Sequence, residues 1–183
     1  MTASEAFERL MEGNRRYVEA GKYTGDVSEK VRVLTAREGQ HPYAVVLCCS
    51  DSREIPEAIF SAGIGDLFVI RVAGNVVGTH QLGSVEYAAG HLGCRLVLVL
   101  GHDHCGAVGA ALQHEAEDEI LSITDEIQKA VGGETDEYTA SCLNVKNSVR
   151  RIAENAAMKR LEEMGVEVRG AIYRLESGKV ELL

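Results

Sequence analysis

The chain has no run of about 18 apolar residues, the length a helix needs to cross a bilayer, so no membrane span is expected. Its first residues, Met1-Thr2-Ala3-Ser4-Glu5-Ala6, are polar and acidic. They lack the basic and apolar regions of a secretory signal, which makes the cytoplasm the expected location. Positive charge is also short: 19 Lys and Arg stand against 28 Asp and Glu, a net charge of −9. Nucleic acids and anionic membrane surfaces both demand a basic face, so neither is an expected partner. Only two prolines occur, and no internal repeat or low-complexity segment is visible. The five cysteines are odd in number and irregularly spaced, which excludes a disulfide framework. No Cys-x-x-Cys pair exists, which disfavours thiol redox chemistry of the thioredoxin kind. The cysteines therefore read as free thiols or metal ligands.

What remains is enough for one substantial domain: 183 residues, 45% of them hydrophobic, can bury a real core. Residues from Ser4 to Ala20 read as an amphipathic helix with Phe7, Leu10, Met11 and Tyr17 on one face and Gly21 as its stop. A polar stretch with a short helix around Val31–Arg37 follows. Three continuous apolar runs come next, Tyr43–Cys48, Asp66–Val72 and Arg95–Leu100, and such runs suit strands buried on both faces of a parallel sheet. Helical patterns lie between and after them: Pro56–Ala62; a segment with Leu82, Val85, Ala89 and Leu92 in line, capped by Thr79; then Ala107–His114, Glu119–Val131 and Ala140–Met164. Val166–Leu175 and Val180–Leu183, joined by Glu176-Ser177-Gly178, read as a closing hairpin. The expected fold is α/β: a mostly parallel sheet of four to five strands flanked by helices, with an edge hairpin. Residues 1–38 read as a helical arm and 39–183 as the core.

Two of the strand exits carry soft metal ligands. Cys49 opens Cys49-Ser50-Asp51-Ser52-Arg53, and His102 and Cys105 sit in Gly101-His102-Asp103-His104-Cys105-Gly106. Ligands of open α/β sheets bind beyond the carboxyl ends of strands, so these distant residues can meet at one ion. Two thiolates and an imidazole suit zinc and leave a fourth position open, the arrangement of a catalytic rather than a structural site. Asp51 can reach the metal or its water, and Arg53 can hold that carboxylate ionised in a charge-assisted pair. Two thiolates cancel the charge of Zn²⁺, so a water there is less acidic than on a three-histidine zinc, and activity should rise toward alkaline pH. Plainer readings stand beside these. Asp51 and Arg53 make an ordinary surface ion pair, His102 a hydrogen-bonded core histidine, Cys48 and Cys94 core residues, and Cys142 a helix residue.

The two motifs together resemble the signature of β-class carbonic anhydrases. The similarity extends through Leu10–Tyr17, Gly39-Gln40-His41-Pro42, Gly65–Arg71, Ala73-Gly74-Asn75, Ser84–Ala88 and Gly170–Tyr173, essentially the whole chain. The resemblance implies one zinc per chain on Cys49, His102 and Cys105, with Asp51 and Arg53 as a catalytic dyad. It implies reversible hydration of carbon dioxide to bicarbonate and a proton, by attack of a zinc-bound hydroxide that Asp51 orients. It implies a homodimer, often paired into tetramers, whose N-terminal helix embraces the partner. By motif position Gln40, Phe68 and Tyr87 would line the substrate pocket at the dimer interface; each also has a plain reading, as a loop capper or as core. His91, four residues after Tyr87, is the candidate proton relay, with His104 a second choice.

Two departures stand out. Glu54 follows Arg53 where relatives carry a small apolar residue, which would alter the pocket mouth. Val46 stands where the bicarbonate-inhibited subgroup has tryptophan, although Arg71 matches that subgroup's arginine; a closed state, with Asp51 turned from Arg53 onto zinc, stays open. Hydrolysis of carbonyl sulfide or carbon disulfide on the same fold, and a non-catalytic bicarbonate-binding protein, are the rival functions.

Overall fold

A computed structural model describes residues 1–183. Helix α1 (Ala3–Ala20) begins at a Thr2 cap: Glu5 N donates to Thr2 Oγ1 at 3.2 Å, and Thr2 N donates to Glu5 Oε2 at 2.7 Å. The reciprocal pair satisfies two backbone donors that a helix start otherwise leaves open. Its end is Gly21, in the left-handed region at φ 60°. Helix α2 (Glu29–Glu38) follows and buries none of its residues.

Strands β1 (Ala44–Cys48), β2 (Leu67–Arg71), β3 (Leu96–His102), β4 (Glu167–Tyr173) and β5 (Val180–Leu182) form one sheet in the order β2-β1-β3-β4-β5. The first four run parallel and β5 antiparallel. Every residue of β1 and β3 is buried, as expected of central strands covered on both faces. Between and after the strands come α3 (Pro56–Ile59), α4 (Thr79–Gly90), α5 (Gly106–Gln113), α6 (Leu121–Val131), α7 (Glu137–Ala153) and α8 (Ala156–Glu162).

Successive strand side chains alternate between faces, and the core divides accordingly. Ala44, Val46, Cys48, Leu96, Leu98 and Leu100 pack on one face with Ala3, Ala6 and Leu10 of α1. Val45, Leu47, Val97 and Val99 pack on the other with Val85 and Ala89 of α4 and Val145 of α7. A third cluster surrounds Cys49 and Cys105 with Val108, Ile127 and Val131. No helix is long and apolar enough to cross a membrane.

Helix α1 packs on its own chain's sheet through Ala3, Ala6 and Leu10, and several element boundaries differ from expectation. Gly13 allows that approach, since a Cβ there would sit 1.9 Å from Phe60 O. Asn14 fixes it, donating to Ile59 O and Gly178 O and accepting from Val180 N. The strand expected to stop at Leu100 runs on through His102, which pairs with Tyr173. The cap of α4 is Gly78, not Thr79; Gln81 reaches back to Gly78 N at 3.1 Å. The single helix expected over Ala140–Met164 is two, because Asn155 turns its side chain to Ala157 N and starts α8 afresh.

Tyr43, at the mouth of β1, is buried beneath the Arg9 guanidinium, which lies 3.9 Å from its ring centroid. Burial pushes its phenol up to about 12. A raised value in the folded state stabilises the fold fully below the unfolded phenol's value of about 10 and loses that contribution as pH climbs through the folded one. The melting temperature is therefore expected to fall between pH about 10 and about 12, and Tyr43→Phe to fall less over the same range. Equal falls in a thermal titration would assign the loss to other groups.

Candidate metal centre

The β1–β3 ladder sets Cys48 opposite Leu100, so the chain leaves both strands at the same level of the sheet. Cys49 follows β1 directly, His102 closes β3, and Cys105 is the cap of α5. Their ligand atoms lie within 4.8 Å of one another. The two sulfurs are 4.0 Å apart, and all three residues are at least 96% buried by accessible surface.

The imidazole is oriented by its own loop. His102 Nδ1 lies 2.7 Å from Asp103 O, and a carbonyl only accepts, so Nδ1 carries the proton. Nε2 is left with its lone pair directed at the sulfurs, buried and without a partner. A buried polar atom without a partner is costly, and here two thiols face it. That is the donor set a zinc ion takes. Within the thiol pair, the hydrogen bond from Cys105, the neighbouring His102 side chain and backbone N–H groups of Asp51 and Gly74 hold Cys49 below its ordinary value against the opposing effect of burial. The same bond and burial push Cys105 up. Cys48, one residue away, points into the apolar core, and burial drives its thiol up.

Asp51 stands at the rim. Its Oδ1 accepts from Arg53 Nε at 2.9 Å and from Arg53 N at 2.9 Å, and its Oδ2 accepts from Arg53 Nη2 at 2.7 Å. This two-pronged grip holds the carboxyl well below the usual carboxylate range. Oδ2 is also 3.8 Å from His102 Nε2. The same Arg53 Nη2 donates to His104 O at 3.0 Å, which ties the Cys49 loop to the His102–Cys105 loop.

The structure gives three neighbouring residues roles that the sequence did not reveal. Arg71 donates to Cys49 O at 3.1 Å, Asp51 O at 2.7 Å and Glu54 O at 2.8 Å, so its guanidinium is committed to the loop backbone. Glu54 is not at a pocket mouth. It is fully buried, its Oε2 accepts from Cys49 N at 2.9 Å, its Oε1 has no partner, and burial pushes it up to about 8. Ile55 takes the outward place, 48% exposed. The Glu54 N to Asp51 O bond turns the backbone and so exchanges the two. Asp103 accepts from Leu175 N and pairs with Arg174, tying the β3 exit to the β4 exit.

The remaining expected site residues stand apart from this cluster. Phe68, Tyr87 and His91 form a row on β2 and α4, with ring centroids 6.1 Å and 5.4 Å apart. Tyr87 and His91 are exposed, and Gln40 is exposed in the loop before β1. No hydrogen bond joins any of the four to Cys49, His102 or Cys105.

A parallel α/β sheet covered on both faces, presenting a buried Cys–His–Cys cluster and a carboxylate–guanidinium pair at its carboxyl edge, defines an enzyme-like metal-site architecture. The sequence profile of the family described as carbonic anhydrase matches residues 44–180. A carbonic anhydrase of Mycolicibacterium smegmatis is 36% identical over 189 residues, covering 97% of this chain and 91% of that one. Among solved structures, a Coccomyxa β-carbonic anhydrase in complex with acetazolamide is 26% identical with a TM-score of 0.73, covering 95% of this chain and 84% of its own. The β-carbonic anhydrase CafA of Aspergillus fumigatus is 25% identical with a TM-score of 0.78, covering 98% and 89%. The chain belongs to the carbonic anhydrase family of enzymes, in its β class.

Proposed function

We propose that this chain is a zinc enzyme that interconverts carbon dioxide and water with bicarbonate and a proton. One observation carries the reading: the lone pair of His102 Nε2 converges with two thiols beside a carboxylate that Arg53 keeps ionised and aimed. Cys49, His102 and Cys105 would hold the ion. When bound, zinc would supply the Lewis acidity that lowers the pKa of a water, less strongly here than on a three-histidine site because two thiolates offset its charge. Asp51, an acceptor only, takes a hydrogen bond from the attacking water's O–H and turns its lone pair toward the carbon of carbon dioxide. Arg53 keeps both carboxylate oxygens from swinging inward.

Gln40, Phe68 and Tyr87 are proposed to line the substrate pocket when a second copy of the chain is docked. The exposed Tyr87 ring, the exposed Val33 and Leu34, and an α2 helix without buried residues support a homodimer. Phe68 and Tyr87 would offer an apolar wall suited to a nonpolar gas, and Gln40 a donor to its oxygen. Five free thiols suit the reducing cytoplasm.

The test is stopped-flow hydration of carbon dioxide with metal analysis on the same preparation; a zinc-loaded sample without hydration activity refutes the reading. Hydration releases one proton per turnover, and His91, exposed at the end of α4 beside Tyr87, is proposed to pass it to buffer. His91→Ala should slow turnover in dilute buffer and recover on adding imidazole. A rate equal to wild type in dilute buffer removes His91 from the path.

A further inference from the structure

The Cys49 sulfur is met by one backbone amide of a tight turn, and α7 grips that turn from its other side. Gly74 N donates to Cys49 Sγ at 3.2 Å. The turn, Val72 to Asn75, is closed by Asn75 N donating to Val72 O at 3.0 Å. Gly74 (φ 66°, ψ 17°) and Asn75 (φ 44°) both take left-handed backbone. That conformation is uncommon for a residue with a side chain and persists where surrounding structure imposes it.

Two side chains of α7 impose it. Asn144 Nδ2 donates to Gly74 O at 2.7 Å, and Ser148 Oγ donates to Asn75 O at 2.9 Å. Both residues are 1% exposed. Asn144 Oδ1 is buried without a partner, so the hydrogen bonding of this side chain goes to the turn alone. Burying an amide with one end unsatisfied costs stability, and packing alone would favour an apolar residue there. Ser141, on the same helix and 3% exposed, supplies the contrast: its Oγ has no partner and touches no part of this chain of bonds.

We propose that Asn144, assisted by Ser148, is a positioning residue for the metal centre: through the Gly74–Asn75 turn it aims a backbone N–H at the Cys49 sulfur, and so sets how strongly that thiolate donates to the ion. The inference rests on the reading of Cys49 as a metal ligand. Groups that orient a ligand from outside the coordination sphere typically change metal affinity by 10- to 100-fold when removed. Asn144 acts one bond further out, so the low end applies.

The experiment measures zinc affinity by competition with a chromophoric chelator and records the sulfur-to-metal charge-transfer band of the cobalt-substituted protein. Asn144→Ala should weaken zinc binding about tenfold and shift the band. Ser148→Ala should move both in the same direction by less, and Ser141→Ala should leave both at the wild-type position. A folded Asn144→Ala protein with wild-type affinity and band overturns the proposal, as does a Ser141→Ala protein that loses as much. If Asn144→Ala does not fold, Ser148→Ala decides, and wild-type values there overturn it. Wild-type protein that takes up neither metal refutes the ligand reading and this inference with it. Wild-type protein that binds both while Asn144→Ala matches it refutes the inference alone.

Discussion

Cys105→Ala is expected to yield protein with almost no zinc and no measurable hydration of carbon dioxide. The cluster offers three ligand atoms within 4.8 Å, the number a catalytic zinc takes from protein. Removing one leaves two, and the ion must then complete its shell from solvent. Loss of a mere outer partner costs 10- to 100-fold in affinity, so loss of a direct ligand should exceed about 100-fold. Cys49→Ala and His102→Ala should behave alike. Cys48→Ala is the control: it is equally buried and one residue from Cys49, but it packs among Val46, Leu98 and Leu100. It should lose some stability to a small cavity and keep its zinc. Stoichiometric zinc in purified Cys105→Ala would remove that residue from the ligand set.

Asp51→Asn should do the reverse, keeping the metal and losing about 100-fold or more of the rate, the usual scale for a positioned proton acceptor. The substituted amide is neutral and pairs poorly with Arg53, whose side chain is 54% exposed. The Asp51 side chain is only 17% exposed and gripped by two prongs, so some stability is lost with the pair. The melting temperature should fall modestly while turnover collapses, and a loss of rate far larger than the loss of folded protein separates a working carboxylate from a surface ion pair. Near-normal turnover in stopped-flow would return Asp51 to the plain reading.

The sequence showed the centre of the fold more clearly than its edges. Strands β1 and β3 were legible because full burial removes the polar alternation of a half-exposed strand, and their exits led to Cys49, His102 and Cys105. The break between α7 and α8 was not legible, since Asn155 acts as a cap only through where its side chain turns. Glu54 was misplaced because charge normally predicts exposure, and here its buried carboxylate accepts from Cys49 N instead. Gln40, Phe68 and Tyr87 came from resemblance, and a single chain leaves them outside the cluster. A signal for the α7 grip was present: Asn144 and Ser148 stand four apart beside the buried Val145, polar residues on an inward face. Its target, a glycine–asparagine turn seventy positions earlier in the chain, has no local signature.

The separation of the two strand exits also sets an order of events. Cys49 and Cys105 are 56 residues apart, and the parallel pairing that joins them cannot form until the intervening crossover has folded back. Long-range parallel pairing is slow because the loop must close before any contact stabilises it. A chain emerging from the ribosome thus exposes Cys49 well before the rest of its coordination set exists. An ion held by these residues would be a late arrival, after the sheet has assembled on hydrophobic burial.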